Sequence, residues 1–337
     1  MSAALDSSIS EAAPELIGIG SPLVDLLLHV EDAFLEKHVA GAKGGMELVG
    51  PAEIAGVLGK SKKDAVQAAG GAASNTTVGC ANLGLRTAFV GSIGQDAYAE
   101  FYRNALLAQN CEPRLIAHAE LPTGHVLSLV TPDSQRTMRT CLAAAAALDP
   151  AAINAGTFRG ARLVVLEGYT LFNHDLTRSI ARAAKEAGCE LALDLASFEV
   201  VAANRSVLDE LLSGQVDLVF ANEDEAKAWN PEGPEAALAD LAQRARVAVV
   251  KLGKDGALIR RGGETVRVAA ELVEAIDTTG AGDCWAAGFL AGYLRGLPLT
   301  ACGTLGAKAG AAVVQVMGAQ VPREQWLEIK GFLDAWT

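Results

Sequence analysis

The second half of the chain repeats one pattern, in which a short and continuous apolar run is followed by a longer stretch of helical periodicity. The apolar runs are "ARLVVLEGY", "ELALDLAS", "VDLVFAN" and "VAVVKLG". Strands that are buried on both faces are apolar throughout, rather than at every second residue, and these runs have that character. The helix candidates between them are "NHDLTRSIARAAKEAG", "EVVAANRSVLDELLSG", and "EDEAKAWN" with "PEAALADLAQRA". The alternation predicts an α/β fold, a doubly wound and mostly parallel sheet flanked by helices.

Two earlier segments have alternating or turn-broken β character and fit this sheet poorly. One runs from "LVDLLLHV" to "GGMELV", and the other, "GHVLSLVTPDSQRTMRT", reads as a hairpin that turns at "TPDSQ". We expect the two to pair as a small β-sheet that projects from the main domain as a lid. Residues 23–50 and 111–141 are therefore predicted to form the lid. Residues 1–22, 51–110 and 142–337 are predicted to form the α/β domain.

Composition and charge restrict the possible functions. The 337 residues are 50% hydrophobic, so a large core is easily built, yet no apolar run is long enough to span a membrane. The start, "MSAALDSSISEAAPE", lacks the features of a secretory signal, and the six cysteines are scattered singly as reduced thiols would be. We therefore expect a cytoplasmic protein. The net charge of −12 argues against nucleic-acid or membrane partners, but backbone N–H groups can still hold a small anion.

The stretch "DTTGAGD", residues 277–283, combines a Gly-Ala-Gly turn with the start of an apolar helix. Such a turn leaves several N–H groups unpaired and aimed in one direction, which favours an anion there. Asp283 would lie beside that anion, where its carboxylate could take a proton from a hydroxyl that attacks a phosphoryl group. The alternative is a helix start in which Asp283 acts only as a cap.

Three weaker motifs accompany this stretch. "GGAASNTTVG" places Gly70 and Gly71 before a helix, where backbone can approach a ligand closely and Asn75 can hydrogen-bond to it. "NEDE" follows a predicted strand, and its Asn222 and Glu225 suit a magnesium ion held through water, or simply a capped helix start.

The third weaker motif, "KLGKDG", also follows a predicted strand. Its two glycines, Gly253 and Gly256, suit a loop that packs against a nucleotide. Its Lys251 could face that nucleotide or could be an ordinary surface lysine.

Taken in this order, these motifs resemble those of the ribokinase-like (PfkB) carbohydrate kinase family. The similarity extends from "GIGSPLVD" to the helices that follow "DTTGAGD". The resemblance implies phosphorylation of a primary hydroxyl on a sugar-bearing small molecule, with ATP and Mg²⁺ as cofactors. It leaves open a monovalent cation such as K⁺, and a monomer or a homodimer formed through the lid.

The family resemblance also implies a role for each motif. It makes Asp283 the catalytic base, the backbone of Gly280, Ala281 and Gly282 the anion hole for the γ-phosphate, and Arg136 a further group near that phosphate. It makes Asp25, Gly70, Gly71 and Asn75 the acceptor pocket. It places ATP beside Asn222, Glu225, Lys251, Gly253, Gly256, Asp277 and Thr278, with Asn222 and Glu225 orienting Mg²⁺ through water. For Asp277 itself, we expect it to brace the loop or to reach toward metal-bound water, rather than to take part in the chemistry.

The acceptor is less sharply defined by the sequence. "GIGSPLVDLLLHVEDAFLEKH", "RTMRTCLAAAAALD" and "LVVLEGYTLF" look most like adenosine kinases, and "GGAASN" lacks the lysine of the "GGKGAN" found in ribokinases. Adenosine is therefore the first expectation, with Phe34, Phe172 and Phe198 as candidate contacts to its base. The alternatives are a sugar or sugar-acid kinase, for fructose or 2-keto-3-deoxygluconate, and a non-catalytic nucleotide-binding regulator.

Overall fold

The structure, a computed structural model, describes residues 13–133 and 135–336. Most of the segment that lacks signal-peptide features lies outside the described residues, as does Ser134 in the expected turn "TPDSQ".

The large sheet has nine strands, of which seven are parallel. In chain order its strands are β1 (Leu16–Ile19), β5 (Thr87–Ile93), β6 (Cys111–Ala117), β9 (Leu163–Glu167), β10 (Glu190–Asp194), β11 (Leu218–Asn222), β12 (Val247–Lys251), β13 (Ala257–Arg261) and β14 (Glu264–Val268). Their spatial order is β14-β13-β12-β11-β10-β9-β1-β5-β6, and β13 and β14 form an antiparallel hairpin at one edge. The winding direction reverses between β1 and β9, the kind of position at which open α/β sheets bind their ligands.

Helices cover both faces of this sheet, as the continuous apolar strands require. One face packs against α5 (His174–Glu186), α6 (Phe198–Ala203), α7 (Arg205–Leu212), α8 (Glu223–Trp229) and α9 (Pro234–Arg244). The other packs against α3 (Ala72–Asn82), α10 (Ala281–Leu294), α11 (Leu299–Val314) and α12 (Arg323–Asp334). The doubly wound prediction is confirmed. The one helix expected from "EVVAANRSVLDELLSG" is two, because the chain leaves helical geometry at Asn204 between them.

The second sheet has five strands and is the expected small β-sheet. Its strands are β2 (Leu23–His29), β3 (Met46–Leu48), β4 (Val66–Gly70), β7 (Gly124–Val130) and β8 (Arg136–Cys141), in the spatial order β3-β8-β7-β2-β4. One face buries Val24, Leu26 and Leu28 under α1 (Asp32–His38), α2 (Pro51–Leu58) and α4 (Ala97–Ala108). Alternation along β2 turns Asp25 toward the other face.

Sheet membership differs from the boundaries expected for the lid at two strands. β4, which the sequence pattern places in the α/β domain, pairs antiparallel with β2 in the small sheet. β6, which the pattern places in the lid, pairs parallel with β5 at the edge of the large sheet. The segment "VQAAG" is too short and too weakly apolar to reveal its partner. Pro113 breaks the strand signal of β6, and proline is tolerated there because β6 is an edge strand.

Candidate active site

Four polar side chains stand at the carboxyl ends of four neighbouring parallel strands. Glu167 ends β9, Asp194 ends β10, Asn222 ends β11 and Lys251 ends β12. Because parallel strands end at the same edge of a sheet, these side chains converge beside the point where the strand order reverses. Asp194 and Glu167 carry no motif that the sequence analysis recognised. The signal that could have found them is their position, an acidic residue as the last residue of an otherwise apolar strand.

The "DTTGAGD" turn leads into α10 at this same edge. Gly280 has a φ of 76°, a left-handed conformation that glycine adopts without strain, and a Cβ there would meet Ala319. The amide of Ala281 donates to the carbonyl of Thr278 over 3.2 Å. The helix start has no side-chain cap, so the amides of Gly282 and Asp283 have no acceptor within the helix. The turn therefore has the donors that an anion hole needs.

The Asp283 side chain is hydrogen-bonded to a neighbouring helix. Its Oδ2 accepts a hydrogen bond of 2.9 Å from Nδ2 of Asn75, on the helix that follows Gly70 and Gly71. Burial, together with the negative charge of Asp194, raises the pKa of the Asp283 carboxyl to about 7, although the bond from Asn75 and the charge of Lys251 act in the opposite direction. A carboxylate that gains a proton near neutrality is suited to act as a general base.

Lys251 is not an ordinary surface lysine. Its Nζ lies 2.8 Å from Oδ2 of Asp194, and the side chain is 11% exposed. A Cβ added to Gly282 would lie 3.0 Å from the same nitrogen, so the ammonium adjoins the Gly-Ala-Gly turn. Burial alone would lower the pKa of Lys251, but the charges of Asp194 and Glu225 outweigh it and raise the pKa. The lysine therefore keeps its positive charge beside the unpaired amides.

Asn222 and Glu225 form a capping box at the start of α8. The Asn222 amide donates to Oε2 of Glu225 over 2.7 Å, its Nδ2 donates to Oε1 over 2.6 Å, and Oδ1 accepts from the Glu225 amide over 2.9 Å. Burial and the charge of Asp194 raise the pKa of Glu225 to about 7, against the charge of Lys251. Among residues 13–133 and 135–336, no group of three or more His, Cys, Asp or Glu side chains could ligate a metal directly. A cation held through water fits the Asn222 amide and the Glu225 carboxylate better, because hydrated Mg²⁺ prefers oxygen acceptors.

The expected acceptor pocket lies where strands β2 and β4 of the small sheet meet the start of α3. Gly70 ends lid strand β4, and a Cβ there would overlap the Asp25 carboxylate on β2. Gly71 has a φ of 99°, and a Cβ there would strike the carbonyl of Ser21. Tyr102, on α4, donates its hydroxyl to the carbonyl of Gly70 over 2.9 Å. Burial raises the pKa of Asp25 to about 6, although the positive charge of Arg136 opposes the shift.

Glu167 fixes the backbone around this pocket. The carboxylate is 2% exposed and accepts from the amide of Ser21 over 2.8 Å and from the amide of Ala73 over 3.1 Å. Burial raises its pKa, despite these two bonds. Glu167 thus joins the segment that precedes Asp25 to the segment that carries Gly71.

Arg136 joins the lid to the "DTTGAGD" turn. Its two terminal nitrogens donate to Oδ2 of Asp277 over 2.6 Å and to Oγ1 of Thr279 over 2.9 Å. Asp277 also accepts from the amides of Thr279 and Gly318, over 3.1 and 2.7 Å. Although burial acts the other way, these amides and Arg136 hold the pKa of Asp277 below its ordinary value. Asp277 therefore braces the loop.

The loop after β12 turns sharply at its two glycines, Gly253 and Gly256, which have φ values of 55° and 89°. Leu252 and Gly256 pair across it, the Leu252 amide donating to the Gly256 carbonyl over 2.8 Å. A Cβ at Gly256 would overlap the carbonyl of Val268, so only glycine fits there. The loop borders the same edge of the sheet as Lys251.

The three phenylalanines singled out from the sequence do not form one group. Phe34 packs with His38 against the lid face opposite Asp25, whereas Phe172 and Phe198 are 63% and 51% exposed. A fourth aromatic residue, Tyr169, follows β9 and was missed. Partial burial and then the charges of nearby carboxylates, among them Glu167 and Asp283, raise its pKa to about 12.

Comparisons with known proteins agree with this geometry. The model of the pfkB family carbohydrate kinases matches residues 40–326. The chain belongs to this family. An adenosine kinase from Sinorhizobium meliloti superposes with a TM-score of 0.84 at 34% identity, over 95% of this chain and 99% of its own. A probable sugar kinase from Rhizobium etli superposes with the same TM-score at 32% identity, over 94% and 98%. The Arabidopsis thaliana ribokinase is 26% identical, over 93% of this chain and 79% of its own.

Family membership establishes the class of activity. This pfkB kinase is an ATP-dependent phosphotransferase with an alcohol acceptor, a sugar or nucleoside kinase that acts on small molecules. Within the described part of the chain, none of the helices combines the length and apolarity needed to cross a membrane.

Proposed function

We propose that this pfkB kinase transfers the γ-phosphate of ATP to the primary hydroxyl of a nucleoside, with adenosine as the preferred acceptor. The similarity that carries the proposal is the one to the bacterial adenosine kinase, which extends over nearly the whole of both chains. The exposed rings of Phe172 and Phe198 and the ring of Tyr169 are aromatic surface of the kind that a purine base needs. Asp25, Gly70 and Gly71 would hold the ribose.

The proposed reaction uses the groups already described. Asp283 accepts the proton of the acceptor hydroxyl as its oxygen attacks the γ-phosphorus, and ADP leaves with the electrons of the broken P–O bond. The amides of Gly282 and Asp283 at the end of the glycine turn and the ammonium of Lys251 would stabilise the negative charge on the transferring oxygens, whereas the Ala281 amide would first have to leave the carbonyl of Thr278. Arg136 would exchange its bonds to Asp277 and Thr279 for the phosphate.

Bound Mg²⁺ would neutralise charge on the phosphates of ATP. We propose Glu225 and Asn222, with Asp194 beside them, as the groups that orient its waters. Gly253, Gly256 and Thr278 would border the nucleotide. A requirement for K⁺ stays a prediction. Asp277 accepts hydrogen bonds from Arg136, Thr279 and Gly318, all of which are donors. A K⁺ ion bound to the Asp277 carboxylate would therefore have to displace Arg136.

A sugar or sugar-acid kinase is the second candidate. The Rhizobium and Arabidopsis relatives favour it. A non-catalytic regulator is disfavoured because Asp283, its hydrogen-bonded Asn75 and the glycine turn are all in place.

An ADP-release assay across adenosine, other nucleosides, fructose, ribose and 2-keto-3-deoxygluconate separates these candidates. The Asp283→Asn variant is purified and assayed in parallel, and its ADP release is subtracted as the contribution of contaminating kinases. We expect adenosine to give the highest kcat/KM. Turnover of one sugar with adenosine inert would transfer the proposal to the second candidate, and turnover of no acceptor would favour the regulator.

The oligomeric state and the cytoplasmic location also remain proposals. The two edge strands of the lid sheet expose Met46, Leu48 and Val66 at 55%, 66% and 65%. Unpaired edges with exposed apolar side chains support a homodimer formed through the lid. Light scattering on the wild type and on a Leu48→Lys variant tests this, with a shift to monomer expected in the variant.

A further inference from the structure

A further cavity adjoins the reacting carboxylate; of the residues expected to form the acceptor and ATP subsites, Asn75 alone also lines it. It has a volume of about 200 Å³ and lies between α3, α4, lid strand β4 and the segment that joins α11 to α12. Asn75 and Cys284 line the wall nearest Asp283, while Ala68 and Ala69 of β4 line another wall. The cavity is thus bounded by the body and by the lid at the same time.

The chemistry of the lining is that of a site for an uncharged, flat ligand. No Asp, Glu, Lys, Arg or His side chain is among the residues that form its walls. A phosphate or carboxylate would lose its hydration there without a counter-charge, which is costly. The rings of Phe101 and Trp326 offer surfaces for stacking.

Nδ2 of Asn82 donates to the carbonyl of Val78 and to Oε1 of Gln109, both over 3.0 Å, and Nε2 of Gln320 donates to the carbonyl of Ala69. The groups of these three amides that can read the edge of a base are therefore Oδ1 of Asn82, Nε2 of Gln109 and Oε1 of Gln320.

We propose that this cavity binds a neutral, planar nitrogen heterocycle of nucleobase size, and that the bound ligand strengthens the contact between lid and body. A cavity of about 150 Å³ accommodates one six-membered ring, so the volume here admits a single or a small fused heterocycle.

The coupling to the lid follows from the hydrogen bonds at the cavity rim. Nε2 of Gln320 donates to the carbonyl of Ala69 over 2.9 Å, a direct bond from the body to the lid, and both residues line the cavity. Two residues before Gln320, the Gly318 amide holds Asp277, which in turn binds Arg136 of the lid. A ligand packed against Gln320 and Ala69 would hold the lid strand down over the acceptor.

The expected kinetic effect is a lower KM for the acceptor. We expect about a threefold decrease when the cavity is saturated. This effect on KM rests on the proposed function, whereas the binding itself does not.

Adenine, hypoxanthine and uracil are suitable probes, because without a sugar they have no alcohol to be phosphorylated. Isothermal titration calorimetry is run in the presence of saturating ADP and of the acceptor that gives the highest kcat/KM in the ADP-release assay, so that the catalytic subsites are filled. For ligands of eight to ten heavy atoms we expect a Kd on the order of 0.1–1 mM for at least one base.

Two variants locate the binding. Ala105→Trp fills the cavity from α4 and should weaken binding at least tenfold, and Asn104→Trp places the same ring one residue away on an exposed position outside the lining. If Ala105→Trp does not fold, Gln109→Ala removes one amide of the rim and should weaken binding about threefold.

Unchanged affinity in Ala105→Trp, or no heat with any base up to 10 mM, would overturn the binding proposal, the 10 mM limit being about tenfold above the expected Kd. An acceptor KM that does not move at saturating base would overturn the coupling to the lid. The turnover of Ala105→Trp, measured without any added base, tests the proposed kinase reaction separately from the binding of a base. Failure of the binding proposal is therefore distinguishable from failure of the proposed function.

Discussion

Replacing Asp283 with asparagine should remove catalysis and at the same time stabilise the native fold. Asparagine has the same shape, and its side-chain oxygen can still accept the 2.9 Å bond from Asn75, so the helix start and its neighbour should keep their positions. What is lost is the group that takes the proton. Loss of a general base costs about 10²–10⁴ in rate, so kcat should fall by that factor.

The stabilisation follows from the raised pKa of Asp283. The pKa is about 7 in the folded protein against an ordinary value of 3.8, so the native state is most stable when the carboxyl is protonated. That contribution is fully present below pH 3.8 and is lost as pH rises through about 7. The difference of about three units corresponds to up to about 4 kcal/mol by linkage. Asparagine cannot ionise, so it avoids this loss. For a chain of this length the gain above pH 7 corresponds to roughly 3–6 °C in Tm.

The test is a pH series of kcat and Tm for wild type, Asp283→Asn and Asp175→Asn. Asp175 is the matched control, because it also lies in the first turn of a helix but is 87% exposed at its side chain. Wild-type kcat should rise with pH through about 7, and Asp283→Asn should be more stable than wild type at pH 8, with the difference shrinking toward pH 4. Turnover near the wild-type level in Asp283→Asn, or a lower Tm than wild type at pH 8, would refute the reasoning.

Three further predictions concern the groups around this carboxylate. The KM for the acceptor should rise about tenfold between pH 7 and pH 5, because Asp25 binds hydroxyls best when ionised and its pKa is about 6; initial-rate kinetics in overlapping buffers measures this, and a flat KM would contradict it. Arg136→Gln should lower kcat about 10–100-fold with little change in Tm, because its partners Asp277 and Thr279 are also held by the loop itself; a large drop in Tm would show a structural role instead. Lys251→Met should destabilise the fold by about 3 kcal/mol at pH 8, because it leaves a carboxylate unpaired; urea unfolding measures this, and the loss should shrink at pH 4.

The sequence predicts most of the fold because long apolar strands and periodic helices dominate it. The order from β9 to the β13–β14 hairpin follows from residues 160–268 alone. Prediction from the sequence fails where the signal for a strand is local and weak. β4 has one valine in five residues, and the partner of such a strand is decided by the rest of the sheet.

The same division applies to the candidate site. Asp283 and the glycine turn share a strong motif, Asn75 belongs to a weaker one, and the structure brings Asp283 and Asn75 together. Asp194 and Glu167 were missed because a single acidic residue after a strand is common, and only the convergence of neighbouring strand ends gives it meaning. The contact of Arg136 with Asp277 joins residues 141 positions apart and could not be read from local pattern.

The chain passes between the two sheets four times, after β1, β4, β6 and β8. The lid therefore cannot open about a hinge in one connection. Any opening must bend all four connections together about one common axis. The first of these connections leads into the strand of Asp25, and the second is the Gly70–Gly71 step. Opening the lid and taking apart the acceptor pocket are consequently one motion. When the lid opens, a phosphorylated product would lose its contacts with the acceptor pocket at the same time as its path to solvent opens. The stiffness of these four connections, rather than any lid contact alone, would therefore govern the rate of product release.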